Sequence, residues 1–162
     1  AARTGLARAH WPGRMQRLAD GALAKRLPVD WELWLDGGHN ADAGQVLAAA
    51  VDAWQGDPAT ARPLHVVFGM INSKQPVAFL TPLVPRSASL TAVAIPGEAA
   101  SHTPGESAGF AREAGATQVA EADSVPAALD ALAREADGAP ARVLICGSLY
   151  LAGKVLALEG DR

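Results

Sequence analysis

Cysteine is scarce in this 162-residue chain, and long hydrophobic runs are missing. The single cysteine, Cys146, excludes a disulfide within the chain and is typical of a protein from a reducing compartment. No run approaches the ~18 apolar residues that a membrane helix needs, and the first residues lack a charged-then-apolar signal pattern. We therefore expect a cytoplasmic protein that has no membrane partner.

Charge of either sign is also sparse. The 14 basic and 17 acidic residues are scattered along the chain and give a formal net charge of −3. A nucleic-acid partner would require a basic cluster, which the sequence does not have. The four histidines are too dispersed to indicate a metal site. We expect neither bound nucleic acid nor a bound metal ion.

Two common nucleotide-binding motifs are missing as well. The sequence contains no G-x-x-x-x-G-K-[ST] phosphate loop and no G-x-G-x-x-G fingerprint. A nucleotide that binds this chain would therefore need its phosphate cradle elsewhere.

Short apolar runs alternate with helical patterns, which predicts a single α/β domain over residues 1–162 with a mostly parallel sheet. Expected strands cover residues 32–36, 64–70, 89–95, 117–120 and 142–146. Expected helices cover residues 41–55, 75–83, 106–114, 125–136 and 149–158. Residues 15–18 are predicted to add one antiparallel strand beside residues 32–36. In the first helix, the spacing predicts one buried face that includes Val46 and Val51.

The string Leu35-Asp36-Gly37-Gly38-His39-Asn40 joins an apolar strand to a helix. Such a turn lies at the carboxyl edge of a parallel sheet, where open α/β sheets bind ligands. The glycines permit close backbone approach, and the helix amino terminus attracts an anion. An alternative interpretation is that Asp36 and Asn40 only cap the turn and that His39 is an exposed loop residue.

Three further side chains lie on predicted turns or strand ends. Arg14 follows a Pro-Gly turn and could clamp phosphate oxygens, although an isolated arginine is also an ordinary surface residue. Lys74 follows the strand at residues 64–70 and could reach a bound anion, or it could be solvated. Ser148 follows the last strand and is suited to cap the last helix.

Taken together, four strings resemble, in order and spacing, the last domain of bacterial folylpolyglutamate synthase/dihydrofolate synthase. They are WPGRMQ at residues 11–16, LDGGHN at 35–40, FGM at 68–70 with Lys74, and ICGSLYLAG at 145–153. The resemblance covers nearly the whole chain. It implies a member of the Mur ligase superfamily with a Rossmann-like, mostly parallel sheet flanked by helices.

The resemblance also implies an activity for the complete enzyme. ATP and Mg²⁺ would phosphorylate a dihydropteroate or folyl carboxylate, and the amine of L-glutamate would attack the acyl phosphate. The amino-terminal domain and the central P-loop ATPase domain are absent from these 162 residues. The isolated domain is therefore expected to be inactive, to hold no cofactor tightly and to be a monomer.

Individual roles follow from the same resemblance. Arg14 would act on the ATP phosphates, and Asp36 would contact the nucleotide at its ribose. His39 would serve in catalysis and substrate binding, and Asn40 would line the cleft near phosphate or glutamate.

Lys74 and Ser148 have weaker parallels. Lys74 would bind the nucleotide, but Ser73 and Gln75 flank it where the family commonly has acidic residues. Ser148 would contribute to the glutamate side of the cleft.

Two other functions remain open. The chain could belong to a peptidoglycan-type Mur ligase that adds an amino acid to a nucleotide-linked precursor. It could also be a stand-alone nucleotide-binding or interaction module that has lost catalysis.

Overall fold

The computed structural model describes residues 13–72 and 75–160, which form one six-stranded sheet with helices on both faces. The strands are β1 Gln16–Arg17, β2 Glu32–Leu35, β3 Leu64–Phe68, β4 Ser89–Ala92, β5 Val119–Glu121 and β6 Arg142–Cys146. The α-helices are α1 Ala41–Gln55, α2 Pro76–Leu80, α3 Pro104–Glu113, α4 Val125–Arg134 and α5 Leu149–Glu159. Short 3₁₀ helices span Ala24–Arg26 and Val84–Arg86.

The order of the strands is β1-β2-β6-β3-β4-β5. β1 pairs antiparallel with β2, and every other neighbouring pair is parallel. The chain moves outward from β3 to β5 and then returns to place β6 between β2 and β3. The loops that leave β2 and β3 lead to α1 and α2 on one face of the sheet, whereas the loop that leaves β6 between them leads to α5 on the other face. Open α/β sheets bind ligands at the carboxyl edge, where such loops diverge.

The side chains of β6 alternate between two hydrophobic cores, one on each face of the sheet. Val143 and Ile145 pack with α4 and α5, whereas Leu144 and Cys146 pack with α1, α2 and α3. All five residues of β6 are buried, as expected for a central parallel strand. The two cores fix the sheet edge on which the candidate site is built.

Polar side chains begin four of the five described α-helices. Asn40, Thr103, Ser124 and Ser148 each accept a hydrogen bond from a backbone amide in the first turn of the helix that follows. Thr103 and Glu106 form a reciprocal capping box, so α3 begins before the predicted residue 106. These caps explain where the helices start.

The predicted fold is confirmed, including the antiparallel pairing of the first strand with the second. The strands are shorter than predicted at β3 and β4, because the ladder ends while the following residues remain buried. One side chain was assigned to the wrong face: Val46 is 68% exposed, whereas Val51 is fully buried. No helix within the described ranges has the length and apolar character to span a membrane.

At the opposite, amino-terminal edge of the sheet, a charged side chain is buried. Arg142, the first residue of β6, is 2% exposed. Its Nε donates to Glu32 Oε1 at 3.0 Å, and its Nη2 donates to the Thr60 carbonyl oxygen at 3.0 Å. Its guanidinium carbon lies 4.2 Å from the ring centre of Trp54. The network ties β2 and β6 to the end of α1.

Candidate functional site

A cleft of about 440 Å³ opens at the carboxyl edge of the sheet, beside the start of β1 and the end of β2. Three chain segments meet there: the turn before β1, the turn after β2 with the first turns of α1, and the start of α5. The lining residues are Arg14, Met15, residues 36–40, Asp42, Ala43, Val46, Leu47 and Leu149. Four of the predicted site residues, Arg14, Asp36, His39 and Asn40, therefore lie together.

Asp36 lies at the floor of the cleft directly after β2 and is 7% exposed. Its two carboxylate oxygens accept from different segments: Oδ2 from the Met15 amide at 3.0 Å and Oδ1 from the Gly38 amide at 2.6 Å. Burial raises the pKa of Asp36, while these two hydrogen bonds and the charge of Arg14 act in the opposite direction. The carboxylate links the two turns that form the cleft.

Arg14 lies on a tight turn just before β1. Gly13 has φ +74° and Met15 has φ +41°, so the backbone is left-handed on both sides of the arginine. The Gly37 amide donates to the Gly13 carbonyl at 2.6 Å, and the Gly13 amide donates to Gln16 Oε1 at 2.9 Å. The Arg14 side chain is exposed, and no carboxylate of the described residues lies within ion-pair distance of it. The turn thus presents an exposed cation at the cleft.

The amino terminus of α1 forms the opposite wall. Asn40 Oδ1 accepts from the Ala43 amide at 2.8 Å, which is the expected capping bond. Asn40 is exposed, and His39 beside it is half-buried. Asp42 adds a carboxylate in the first helical turn, so this wall combines the positive end of a helix with a negative side chain.

Close backbone packing explains the second glycine of the turn. A Cβ atom at Gly38 would lie 2.8 Å from both Ala43 Cβ and Asp36 Oδ1, so an alanine there would require this turn to shift. The Gly38 carbonyl accepts from the amide of Gly147, which has φ +110°. The turns after β2 and β6 are therefore joined directly.

Of the two remaining predicted site residues, one can be placed in the structure. Lys74 falls outside the described residues. Ser148 is 2% exposed, and its Oγ accepts from the amides of Tyr150 and Leu151 at 3.0 and 3.4 Å. Ser148 caps α5 and does not line the cleft. Its assignment to the glutamate side is untested, but its hydroxyl is already engaged.

Sequence reasoning missed several lining residues. Asp42, Val46 and Leu149 contribute to the cleft, and Val46 and Leu149 are 68% and 56% exposed. An acidic residue in a first helical turn carries a weak signal, because it also favours the helix dipole. Nothing in the sequence indicates that Val46 and Leu149 line a cleft, because helical periodicity places Val46 on the buried face and gives Leu149 no assignment.

Residues 105–109, GESAG, match the G-x-S-x-G pattern of a hydrolase nucleophile elbow. In that motif the serine lies on a strand-to-helix turn with an exposed hydroxyl. Here the string lies within α3, Ser107 is fully buried, and its hydroxyl has no hydrogen-bond partner among the described residues. The match is therefore not a nucleophile site.

Metal ligands are not clustered in the described part of the chain. No group of three or more His, Cys, Asp or Glu side chains there is arranged to hold an ion. The cleft carries Asp36 and Asp42, but Asp36 is committed to backbone amides.

Three solved structures share this architecture. Folylpolyglutamate synthase of Mycobacterium tuberculosis, complexed with ADP and AMPPCP, is 23% identical with a TM-score of 0.73 over 99% of this chain and 35% of that chain. Escherichia coli FolC in complex with ADP is 24% identical, with a TM-score of 0.71 over 96% of this chain and 33% of that chain. Folylpolyglutamate synthase of Thermotoga maritima is 19% identical, with a TM-score of 0.71 over 98% and 33%.

At these identities the likeness establishes the fold alone, and the chain spans about a third of the length of each structure. None of the curated protein sequences compared with the chain matches it. A family model described as "Dihydrofolate synthetase, C-terminal domain" matches residues 22–158. The chain therefore belongs to the family of dihydrofolate synthetase carboxy-terminal domains.

Proposed function

We propose that this chain is the closing domain of an ATP-dependent ligase that joins L-glutamate to a dihydropteroate or folyl carboxylate. In this proposal the chain works with a P-loop ATPase domain of the same polypeptide. The observation that carries it is the exposed side chain of Arg14 at the cleft. The turn on which it lies is hydrogen-bonded to Asp36 and Gly37. The family match supports the folate branch over the peptidoglycan branch.

The proposed chemistry needs a cation at this position. Phosphorylation of a carboxylate spreads negative charge over the transferred phosphoryl group, and a positioned guanidinium stabilises that charge. An arginine delivered from another domain makes the step depend on domain closure, which excludes water from the acyl phosphate. Arg14 is exposed and forms no ion pair with the residues that the structure describes, as this role requires.

The rest of the cleft is suited to the surroundings of the nucleotide phosphates and the incoming amino acid. His39 and Asn40 line the wall nearest the amino terminus of α1, where an anion is favoured. We propose that they contact phosphate or the glutamate carboxylates and that Lys74 takes part in binding the nucleotide. We propose that the Mg²⁺ that accompanies ATP is held mainly by the phosphates and by other domains, because Mg²⁺ keeps several waters and takes few protein ligands.

The experiment is a steady-state assay of the complete enzyme that contains this chain, with ATP, L-glutamate and dihydropteroate. Arg14→Ala should lower kcat by about 10³-fold or more, as loss of an arginine that stabilises phosphoryl transfer does. Arg17→Ala is the matched control, because Arg17 is an exposed arginine three residues away that lines a different cavity. The control should turn over at close to the wild-type rate.

Unchanged turnover in Arg14→Ala would remove the assigned role. Ligation to a UDP-linked precursor in place of dihydropteroate would assign the complete enzyme to the peptidoglycan branch. Nucleotide binding without ligation of either acceptor would favour a module that has lost catalysis.

A further inference from the structure

We propose that Asp36 is a positioning residue: its carboxylate fixes the turn that carries Arg14, and it acts on the reaction through that arginine. The inference rests on the proposed function of Arg14. It differs from the expectation that Asp36 contacts the ribose of the nucleotide.

The carboxylate joins two separate segments of the cleft. Oδ2 accepts from the Met15 amide, 21 residues back in the sequence, at 3.0 Å. Oδ1 accepts from the Gly38 amide at 2.6 Å, within the turn after β2. Met15 directly follows Arg14, so the bond fixes the peptide unit next to the arginine. With 7% exposure, Asp36 faces these two amides more than it faces the cleft.

The Arg14 turn needs such an anchor. Among the described residues, Met15 is the one non-glycine residue with positive φ, at +41°. Non-glycine residues rarely adopt this backbone conformation, and they keep it only where surrounding contacts hold it in place. The contacts present are the Asp36 bond, the Gly37 to Gly13 backbone bond and the Gln16 bond to the Gly13 amide. Of these three contacts, the bond to Asp36 is the one made by the peptide group between Arg14 and Met15.

A carboxylate is the side chain that this geometry requires. Two N–H groups approach its two oxygens from different segments. An asparagine has one oxygen and one NH₂ group, so it could accept from only one amide and would point a donor at the other. Asp36→Asn therefore loosens one of the two turns while it keeps the size of the side chain.

The test is a double-mutant cycle in the complete enzyme, with Arg14→Ala, Asp36→Asn and the double variant. Asp36→Asn alone should lower kcat by at least about tenfold, as expected for residues coupled through a shared contact. The double variant should be no slower than Arg14→Ala alone. The ratio of kcat/KM for ATP to that for 2′-deoxy-ATP or 3′-deoxy-ATP should be the same in Asp36→Asn as in the wild type.

A direct ribose contact gives the opposite pattern. In that case the losses from Arg14→Ala and Asp36→Asn would multiply, and Asp36→Asn would lose discrimination between ATP and the deoxy analogues. Either result overturns the inference. If Arg14→Ala leaves kcat unchanged, the proposed function of Arg14 fails first, and the ribose discrimination still reports on Asp36.

A second variant covers the case in which Asp36→Asn does not fold. Gln16→Ala removes the side chain that accepts from the Gly13 amide and so loosens the same turn from its other side. It should lower kcat, leave KM for ATP little changed and add nothing to Arg14→Ala. A multiplicative loss with Arg14→Ala, or wild-type kcat, would contradict control of Arg14 through this turn.

Discussion

Two arginines at opposite edges of the sheet have opposite environments. Arg142 begins β6 and is 2% exposed, with its donors on Glu32 and the Thr60 carbonyl and its plane near the ring of Trp54. Arg14 lies beyond the other edge, exposed and without an ion pair among the described residues. The sequence singles out Arg14 by its Pro-Gly turn and by the family resemblance, whereas the partners of Arg142 become visible only in the fold.

This difference distinguishes a charge that stabilises the fold from a charge that is accessible to a ligand. A buried guanidinium must be paired, because desolvation without compensation is costly. Once paired, as Arg142 is, it has little left to offer a ligand. Arg14 is exposed and has no hydrogen-bond or ion-pair partner among the described residues, so a phosphate could bind it without breaking any of the contacts described. The buried charge at the amino edge of this sheet therefore serves the structure, whereas the carboxyl edge holds the candidate site.

The largest effect on stability should come from Arg142. We expect Arg142→Ala to lower the free energy of unfolding by about 3 kcal/mol, because it removes a buried, paired guanidinium and leaves Glu32 with Arg62 and Trp34 as its partners. Arg14→Ala should change it by less than about 0.5 kcal/mol, because the side chain is exposed and unpaired. Urea denaturation of the two variants and the wild type measures both values.

A surface ion pair provides the control for Arg142. Arg86 forms two hydrogen bonds with Asp52 on the surface, and Arg86→Ala should cost much less than Arg142→Ala. Equal losses would show that burial of the Arg142 pair is not what matters. Burial alone would raise the pKa of Glu32, but hydrogen bonds from Arg142 and Trp34 outweigh it and lower that pKa. The contribution of the pair should thus be complete above the ordinary value of 4.5 and decline in more acidic solution.

Ser148 should have a smaller effect on stability and no effect on substrate binding, although it lies at the carboxyl edge. Ser148→Ala removes the cap of α5 and should lower the free energy of unfolding by about 1 kcal/mol. Because its hydroxyl is buried, KM for L-glutamate in the complete enzyme should not change. Asn40→Ala also removes a helix cap but alters the cleft wall, so it is the matched comparison. A raised KM in Ser148→Ala would restore its predicted substrate role.

Local sequence signals were sufficient for most of the fold. Short apolar runs located the strands, and Ser148 marked the start of the last helix, which the structure confirms. The order of strand and turn also indicated that residues 36–40 would lie at the carboxyl edge. These features depend on neighbours within a few positions, which is the range over which sequence patterns carry information.

Features that depend on distant segments could not be predicted. The bond from the Met15 amide to Asp36 spans 21 positions, and that from Arg142 to Glu32 spans 110. Each requires knowledge of which turn or strand end lies beside which. The misassigned Val46 has the same origin, since helical spacing defines an apolar face but not the width that the sheet covers. For this reason the structural role of Arg142 could not be predicted, although a role for Arg14 could.

The smallest predicted effect also lies at the amino edge. His65 in β3 stacks on Trp31, with ring centres 5.6 Å apart, and its Nδ1 lies 2.7 Å from Ser89 Oγ. Burial lowers the pKa of His65, although the charge of Glu135 acts in the opposite direction. Because the unfolded chain binds the proton more readily, the contribution of neutral His65 to stability should be complete above its ordinary pKa of 6.5. That contribution should decrease as the pH falls below this value.

His65→Phe keeps an aromatic ring beside Trp31 and should flatten this pH dependence of stability in urea denaturation measured at several pH values. The pH profile of kcat in the complete enzyme should be the same in wild type and His65→Phe, and a shift in that profile would show that the amino edge takes part in the chemistry.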